Sequence, residues 1–590
     1  MRLLFCFILL SFSLQAQTNT YNVSFKNAVH HEAVIKATFP NIKSSTIIVR
    51  MSRSSPGRYA IHEFAKNVYG VVATNAKGDT LAVTRPDPYS WEINNTDGTV
   101  NIEYTLFANR GGGTYSQVDL THAHLNIPSV FIYAESLQDR PIEITFETRK
   151  DLNWKVATQL KTVSGNTFYA PDLYYFMDSP VEISDFKMKE FDLDGKKIRF
   201  VLHDPGTQTD FDTYFEKVKK IVKQEMAVYG ELPDYDYGTY TFLACYMPNA
   251  SGDGMEHRNS TILTDTEPLA DGGMENNIGT VSHEYFHSWN VERIRPEGLE
   301  PFDFSKANMS RALWFAEGFT SYYTNLFLER AGIMTHEDYV KSLNGTFNYV
   351  WNSPAHQYFN PIEMSEQAPF VDAATSIDPV NRENTFISYY SYGSILGLAL
   401  DLSLREKDLN LDDFMQVMWK KYGKTEVAYS VENIEQTLAE YAGTAFAKAF
   451  FDQYIYKSEM PNYKELLTSV GLKLTQNTAE PSLNITVNAE DGGMRITRNT
   501  LKGSTAYKAG FDKGDLITSI YGTPVTSVDT MKSALENKKV GDKITVAYTS
   551  LGKEKEMKVT LDPDPTYSIK IDEKAGKNAL KARGGWLGGK

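Results

Sequence analysis

The pentapeptide His-Glu-Tyr-Phe-His at residues 283–287 constrains this chain more than any other feature. On an α-helix, His283 and His287 lie one turn apart, so both imidazoles point to the same side. Such a pair can hold a zinc ion, and Glu284 lies beside it, where a general base for water would stand. Apolar residues at helical spacing over 278–292 predict a helix with a buried face.

A second segment, residues 311–331, also has the apolar spacing of a helix, with Glu317 among its apolar residues. A carboxylate in such surroundings needs a cation or a hydrogen bond. Glu317 is therefore predicted to be the third ligand of one zinc ion, which leaves a coordination position open, as in catalytic zinc sites. The alternative is a solvated helix with two histidines, which the apolar character of both segments disfavours.

Composition narrows the class of protein. A chain of 590 residues is expected to fold into several domains, and its net charge of −14 argues against a nucleic-acid partner. Arg2 and the apolar run that follows predict a signal peptide over residues 1–16, and hence export to a bacterial periplasm or exterior. Cys245 is then the single cysteine and forms no intramolecular disulfide. No later segment reads as a transmembrane anchor.

The pattern along the chain predicts a multidomain α+β protein. Short alternating runs over residues 17–205 predict an N-terminal all-β, β-sandwich-like domain. Helical periodicity dominates residues 206–475. Strand and turn patterns return over 483–565, and the Lys- and Gly-rich residues 566–590 are expected to form a flexible tail.

The order of strands, turns and helices over 483–565 resembles a PDZ domain of the bacterial protease type. PDZ domains bind a peptide as an extra strand at a sheet edge. The resemblance therefore implies a peptide ligand, and the alternative is a structural appendage without one.

Three motifs together resemble the M61 metallopeptidases, the glycyl aminopeptidase family. They are His283-Glu-Tyr-Phe-His-Ser-Trp-Asn290, Arg293-Ile-Arg-Pro296 and Leu313-Trp-Phe-Ala-Glu-Gly-Phe-Thr-Ser-Tyr-Tyr323. Ser55-Pro-Gly-Arg-Tyr and the residues after it resemble the N-terminal domain of that family. The resemblance implies a thermolysin-like, mostly helical catalytic domain and removal of N-terminal residues from peptides, with Gly and Ala favoured. The chain departs from the family at Glu292, where the family usually has Lys.

An aminopeptidase must bind a free ammonium group, and a carboxylate does this by charge-assisted hydrogen bonding. Two residues compete for the role. Glu256 lies in Gly254-Met-Glu-His-Arg-Asn-Ser260, which resembles the family's own motif. Glu275 lies in Gly272-Gly-Met-Glu-Asn276, which matches the exopeptidase motif of the related M1 aminopeptidases. Glu256 is preferred because Glu275 falls only eight residues before His283.

A developing oxyanion needs a neutral or cationic donor. Among related enzymes a tyrosine three residues before a glycine has this role, which implies Tyr390, with Tyr389 as the rival. Arg293 and Arg295 either orient peptide carbonyls or a peptide carboxylate, or form structural ion pairs with the β domain.

Together these features predict a zinc-dependent aminopeptidase that acts on peptides. A zinc endopeptidase with substrates recruited by the PDZ domain is one alternative, and a non-catalytic peptide-binding protein is another. The sequence leaves the oligomeric state open.

Overall fold

The computed structural model describes residues 17–371 and 378–589. The predicted signal peptide, residues 1–16, lies outside the described residues. Three apolar cores define an N-terminal, a central and a C-terminal domain.

The N-terminal domain is built from fourteen strands and one short helix. Apolar residues alternate with polar ones along its longer strands, so that each strand buries one face. The elements are β1 (Asn19–Ser24), β2 (Glu32–Phe39), β3 (Thr46–Arg50), β4 (Val68–Thr74), β5 (Val83–Thr84), β6 (Ser90–Asn94), β7 (Val100–Phe107), β8 (Gln117–Val118), β9 (His122–Leu125), β10 (Ile142–Glu147), β11 (Lys155–Thr158), β12 (Lys161–Ser164), β13 (Thr167–Ala170), α1 (Leu173–Met177) and β14 (Val181–Ser184).

These strands form three sheets around one core. The largest has seven strands in the order β12-β13-β10-β1-β2-β7-β4, and β1 runs parallel to β10. A second sheet has the order β11-β14-β9-β8, and a third has the order β3-β6-β5. The prediction of a β-rich N-terminal domain is confirmed.

The domain boundary differs from the predicted one at residue 205. Strands β15 (Lys187–Leu193) and β16 (Lys196–His203) belong to the sheet of the central domain, where β16 runs parallel to the next strand. Their alternating pattern is like that of the preceding strands, and a pattern within one strand does not show which sheet the strand will join.

The central domain combines this sheet with helices. The sheet has the order β15-β16-β17-β19-β18 and is completed by β17 (Thr239–Tyr246), β18 (Asp253–His257) and β19 (Ser260–Asp265). The helices are α2 (Gln208–Tyr229), α3 (Gly273–Asn276), α4 (Ile278–Phe286), α5 (Leu313–Arg330), α6 (His336–Trp351), α7 (Pro361–Glu366), α8 (Ala368–Val371), α9 (Arg382–Thr385), α10 (Tyr389–Arg405), α11 (Leu411–Met418), α12 (Val431–Ala442), α13 (Thr444–Phe450) and α14 (Tyr463–Ser469).

Local sequence explains where the longer helices begin and end. Helix α2 begins with a capping box, in which Thr207 and Asp210 satisfy each other's backbone N–H groups, and it ends at Gly230 with a φ of 82°. Helix α4 is shorter than the predicted 278–292. It ends at Phe286, and His287 is its C-cap.

The C-terminal domain forms a separate sheet with the path β22-β23-β24-β26-β27, and β25 pairs with β24. Its elements, with the short strands beside them, are β20 (Leu472–Gln476), β21 (Pro481–Ser482), β22 (Val487–Glu490), β23 (Gly493–Ile496), α15 (Thr505–Ala509), β24 (Leu516–Ile520), β25 (Thr523–Pro524), α16 (Val528–Leu535), β26 (Lys543–Ser550), β27 (Lys553–Thr560) and β28 (Asp562–Pro563).

Residues 566–589 form ordered structure, which corrects the prediction of a flexible tail over 566–590 for all but its last residue. Strand β29 (Tyr567–Ile571) pairs with β20, and helix α17 (Lys577–Leu587) packs on the central domain. Trp586 is buried, and its Nε1 donates a hydrogen bond to the hydroxyl of Tyr322 at 2.9 Å. One large aromatic side chain anchors a segment whose Lys and Gly content otherwise indicates mobility.

Over residues 17–371 and 378–589, no helix combines the length and apolar character needed to cross a membrane.

Candidate active site

The two histidines of the opening pentapeptide lie at the end of α4, with ring centroids 4.8 Å apart. His283 Nδ1 lies 3.1 Å from Thr324 Oγ1, which itself donates to a backbone carbonyl. His287 Nδ1 lies 2.6 Å from the carbonyl oxygen of Asn290. In both contacts the Nδ1–H is the donor. The Nε2 atom of each neutral ring therefore carries the lone pair that can bind a metal ion.

Glu317 on α5 lies opposite those two nitrogens. Its Oε2 is 3.5 Å from His283 Nε2 and 3.2 Å from His287 Nε2. Its Oε1 accepts a hydrogen bond from the hydroxyl of Tyr59, which belongs to the N-terminal domain. Burial opposes ionisation of Glu317, but the adjacent imidazoles of His287 and His283 hold its pKa well below the usual range. Glu317 is therefore an anion that points one oxygen at the histidines.

Glu284 lies on the same helix and is also buried. Burial raises the pKa of its carboxyl to about 8, against the opposing effect of His287 and with added repulsion from Glu256. The backbone of β18 passes directly over this carboxyl. A Cβ at Gly254 would overlap Glu284 Oε1. Glycine at position 254 thus leaves room for the carboxylate that is the candidate base.

Glu256 reaches the same cluster from β18. Ligand atoms of Glu256, Glu284 and His287 all lie within 4.8 Å of one another. Burial raises the pKa of Glu256, and Glu317 adds to the rise, while His287 opposes it. The N-terminal domain also covers this residue, since a Cβ at Gly57 would lie 2.8 Å from Glu256 Oε2. The preferred amine-binding carboxylate is thus brought into the site.

Tyr390 stands at the start of α10, half-buried, with its ring centroid 6.0 Å from that of His283. Helices α5 and α10 cross in direct backbone contact, where a Cβ at Gly318 would overlap the Cα of Gly393. Glu317 precedes the first glycine and Tyr390 lies three residues before the second. Two glycines at the crossing therefore bring the candidate ligand and the candidate oxyanion donor together.

The other predicted substrate-binding residues lie elsewhere. Glu275 on α3 is exposed, and its carboxylate lies 3.4 Å from Lys217 Nζ. Arg293 is buried and donates to the carbonyl oxygens of Arg258, Ser288 and Asp234.

Arg295 donates to the hydroxyl of Tyr174 at 2.8 Å and to Glu300 at 3.1 Å. Tyr174 belongs to the N-terminal domain, so this arginine joins two domains. Of the two readings of Arg293 and Arg295, these contacts favour the structural one.

The donor set fits a divalent metal ion. Two imidazole nitrogens and one carboxylate oxygen converge, and Glu317 Oε2 has no hydrogen-bond partner in the described part of the chain. Two histidines and a glutamate form a typical catalytic zinc site, in which they leave a coordination position open. Glu256 and Glu284 add two more buried carboxylates, which a nearby cation would stabilise.

The sequence reasoning missed the role of Tyr59. Its hydroxyl is buried against Glu317, and burial together with that carboxylate raises the pKa of the phenol well above its usual value. Tyr59 belongs to the motif Ser55-Pro-Gly-Arg-Tyr, which indicates the N-terminal domain but does not indicate a contact with Glu317. Its position 258 residues before Glu317 hid the contact.

The C-terminal domain has a groove between β22 and α16, and β22 is the end strand of its sheet. Apolar side chains line the groove: Leu483, Ile485, Val487, Val528, Met531 and Leu535. The domain contacts α9 of the central domain, where Asn384 bonds to the Thr500 carbonyl at 3.1 Å and accepts from the Lys502 N–H at 2.7 Å. An open strand edge beside an apolar groove is the geometry for binding an extended peptide.

Comparison with known proteins agrees with this division into domains. The family profile for the peptidase M61 N-terminal domain matches residues 20–185, and that for M61 glycyl aminopeptidase matches residues 276–396. The profile for a PDZ domain matches residues 481–561. The first match ends before β15, in accord with the observed boundary.

Among solved structures, an aminopeptidase N family protein from Idiomarina loihiensis has a TM-score of 0.84 at 24% identity, covering 97% of this chain and 100% of that one. This likeness shows a shared fold. An M1 zinc metallopeptidase from Deinococcus radiodurans is more distant, with a TM-score of 0.43 at 12% identity over 76% of this chain and 94% of that one.

A curated relative is the periplasmic pH-dependent serine endoprotease DegQ of Escherichia coli (strain K12), 30% identical over 103 residues. The match spans 18% of this chain and 22% of that protein. The three profiles agree in order and extent with the three observed domains: the chain carries the N-terminal and peptidase domains of the M61 family, followed by a PDZ domain.

Proposed function

We propose that this protein is a zinc-dependent aminopeptidase that removes N-terminal residues, with Gly and Ala favoured, from peptides. The observation that carries the proposal is the position of Glu256, a buried carboxylate within 4.8 Å of Glu284 and His287. A carboxylate there can bind the substrate ammonium group while the adjacent peptide carbonyl lies over the candidate metal ligands. The preference for Gly and Ala rests on the family resemblance.

His283, His287 and Glu317 would hold one zinc ion, as in other sites of this donor type. When bound there, the ion acts as a Lewis acid toward water and the scissile carbonyl. The protein's own residues do the rest of the work. Glu284 accepts a proton from the attacking water and delivers it to the leaving amine.

Tyr390 donates a hydrogen bond to the oxyanion of the tetrahedral intermediate. Its place beside the His283 ring supports this role. Glu256 fixes the N-terminus of the peptide throughout, so that only the first peptide bond reaches Glu284. The central domain would then be thermolysin-like in its chemistry, with exopeptidase specificity added by β18.

The experiment is a comparison of glycine p-nitroanilide with its N-acetylated form, with and without a chelator. An aminopeptidase cleaves the free substrate, rejects the blocked one and loses activity with the chelator. Equal cleavage of both substrates would support a zinc endopeptidase. No cleavage by a zinc-loaded, folded protein would support a non-catalytic peptide-binding protein.

The groove between β22 and α16 is a second candidate site for binding a peptide. We expect it to bind an extended peptide along β22, either a substrate or a separate ligand. The predicted signal peptide and the similarity to a periplasmic protease support an exported protein.

A further inference from the structure

A second group of potential ligands lies between the N-terminal and central domains. The sheet β11-β14-β9-β8 presents one face to the sheet that contains β16 and β17. Ala157 and Phe186 on one side pack against Val201 and Leu243 on the other, forming a small separate core. This core continues into a polar group, called here the inter-sheet cluster: His122, Glu182, His203 and Cys245.

Strand pairing places these four side chains on facing surfaces. Glu182 lies directly opposite Ala157 on β11, so it shares the buried face of that sheet. His203 and Cys245 lie opposite each other and two residues beyond Val201 and Leu243. Because side chains alternate along a strand, they share the face that makes the apolar contact.

Ligand atoms of His122, His203 and Cys245 all lie within 4.8 Å of one another, and Glu182 approaches this group beside His203. Cys245 Sγ lies 3.5 Å from His203 Nδ1 and 4.0 Å from His122 Nε2. Glu182 Oε1 lies 3.7 Å from His203 Nδ1. The edges of a tetrahedron around zinc with sulfur and nitrogen ligands are about 3.3–3.6 Å. These three separations are close to those edges. The Glu182 carboxylate lies outside the group of three and has to turn toward His122 and Cys245 to complete the tetrahedron.

The inter-sheet cluster is buried, and hydrogen bonds from neighbouring residues orient its side chains. All four side chains are at least nine-tenths buried, and Glu182 is fully so. Glu182 Oε2 lies 3.1 Å from His124 Nδ1, while its Oε1 finds no hydrogen-bond partner among the described residues. A carboxylate bonded through one oxygen and unpaired at the other is the arrangement that a metal ligand has.

His122 is oriented in the same way. Its Nδ1 lies 2.8 Å from Thr121 Oγ1 and 3.6 Å from Asp119, which leaves Nε2 directed toward Cys245. A thiolate and a carboxylate together balance the charge of a divalent cation, so the loaded site would bury no net charge.

We propose that the inter-sheet cluster is a second, structural zinc site, in which His122, Glu182, His203 and Cys245 occupy all four positions. Four protein ligands leave no position for water, so this site is closed and takes no part in hydrolysis. It joins the domain that supplies Tyr59 to the domain that supplies Glu317. A surface pocket lined by His203 and Asp185 gives an ion a route of entry.

The first experiment counts zinc in the purified full chain, in the Cys245→Ser and His287→Ala variants, and in the double variant. We expect two ions per chain in the wild type, one in each single variant and none in the double. If the wild type and Cys245→Ser each hold one ion while His287→Ala holds none, the inter-sheet site does not exist. If the wild type and His287→Ala each hold one and Cys245→Ser none, the inter-sheet site stands and the catalytic zinc fails.

The second experiment replaces zinc by cobalt, and its decisive result comes from the wild type alone. Cys245 is the one free cysteine within residues 17–371 and 378–589, so a thiolate-to-cobalt charge-transfer band reports the inter-sheet cluster alone. We expect the band in the wild type and in His287→Ala, and we expect it to disappear in Cys245→Ser. A folded wild-type protein that binds cobalt without the band would overturn the proposal, since the four residues would then form a metal-free hydrogen-bond network.

Discussion

Tyr59 of the N-terminal domain donates a hydrogen bond to Oε1 of Glu317 in the central domain. The other oxygen of Glu317 faces His283 and His287. The orientation of a candidate metal ligand thus depends on a residue from a different domain. The N-terminal domain therefore contributes a side chain to the candidate active site.

Replacement of Tyr59 by Phe should weaken zinc binding at the catalytic site by about 10–100-fold, the usual cost of losing a group that orients a ligand. The measurement is competition with a chromogenic chelator. Tyr104→Phe is a matched control, since that buried tyrosine donates within its own domain, to the Val130 carbonyl at 2.8 Å. Equal zinc affinity in Tyr59→Phe and the wild type would show that the contact has no role in holding the ligand.

Replacement of Glu284 by Gln should reduce kcat by at least about 10³-fold while zinc remains bound, because the amide cannot accept the proton of water. The side chains have the same size, which matters because the Gly254 backbone lies against this position. The assay pairs turnover of a free amino-acid anilide with the zinc content of the same sample. Substantial turnover by the zinc-loaded variant would exclude Glu284 as the base.

Replacement of Tyr390 by Phe should lower kcat by about 10²–10³-fold with little change in KM, since one oxyanion donor is typically worth that much. Tyr389→Phe is the control, and we expect a change of less than about tenfold, because Tyr389 is almost fully buried while Tyr390 is only half-buried beside His283. If Tyr389→Phe shows the large fall in kcat and Tyr390→Phe the small one, the oxyanion donor is Tyr389.

The buried carboxyl of Glu292 should make stability depend on pH. Burial raises the pKa of its carboxyl to about 7, with repulsion from Asp178 and against the opposing effect of Arg295. The folded state therefore binds more protons than the unfolded state between about pH 4.5 and pH 7, and stability falls as pH rises through that window.

The variant Glu292→Gln removes this titration. Relative to the wild type, it should be more stable at pH 8 by on the order of 2 kcal/mol, and nearly equal at pH 4.5. Thermal unfolding of both proteins at the two pH values measures the difference. A difference that does not change with pH would mean that Glu292 ionises with an ordinary pKa.

Much of the site could be predicted because its signals are local. His283, Glu284 and His287 share one helical turn, and Glu317 is recognisable as a charged residue in an apolar helix. The choice of Glu256 over Glu275 rested on the length of chain needed to return to the zinc helix. The structure brings Glu256 to Glu284 and His287 and places Glu275 beside Lys217.

What could not be predicted depends on contacts between distant segments. Tyr59 and Glu317 meet across a domain boundary, and His122, His203 and Cys245 come from three strands with no spacing that indicates a shared site. The membership of β15 and β16 in the central sheet also depends on pairing with a distant strand, β17. The hydrogen bond from Trp586 to Tyr322 likewise joins segments 264 residues apart.

The central claim is that Glu256 makes this peptidase an aminopeptidase. The most direct measurement is kcat/KM for glycine p-nitroanilide and for its N-acetylated form, with the wild type, Glu256→Gln and Glu275→Gln, each checked for zinc content and thermal stability. A charge-assisted hydrogen bond is worth about 1.5–3 kcal/mol, so Glu256→Gln should lose about 10–100-fold on the free substrate.

We expect the wild type and Glu275→Gln to cleave the free substrate and reject the blocked one. In Glu256→Gln, the loss should fall on the free substrate and leave the weak reaction with the blocked substrate unchanged. Equal cleavage of both substrates by the wild type, or an equal loss on both in Glu256→Gln, would contradict the claim and leave Glu256 without a role in recognising the N-terminus.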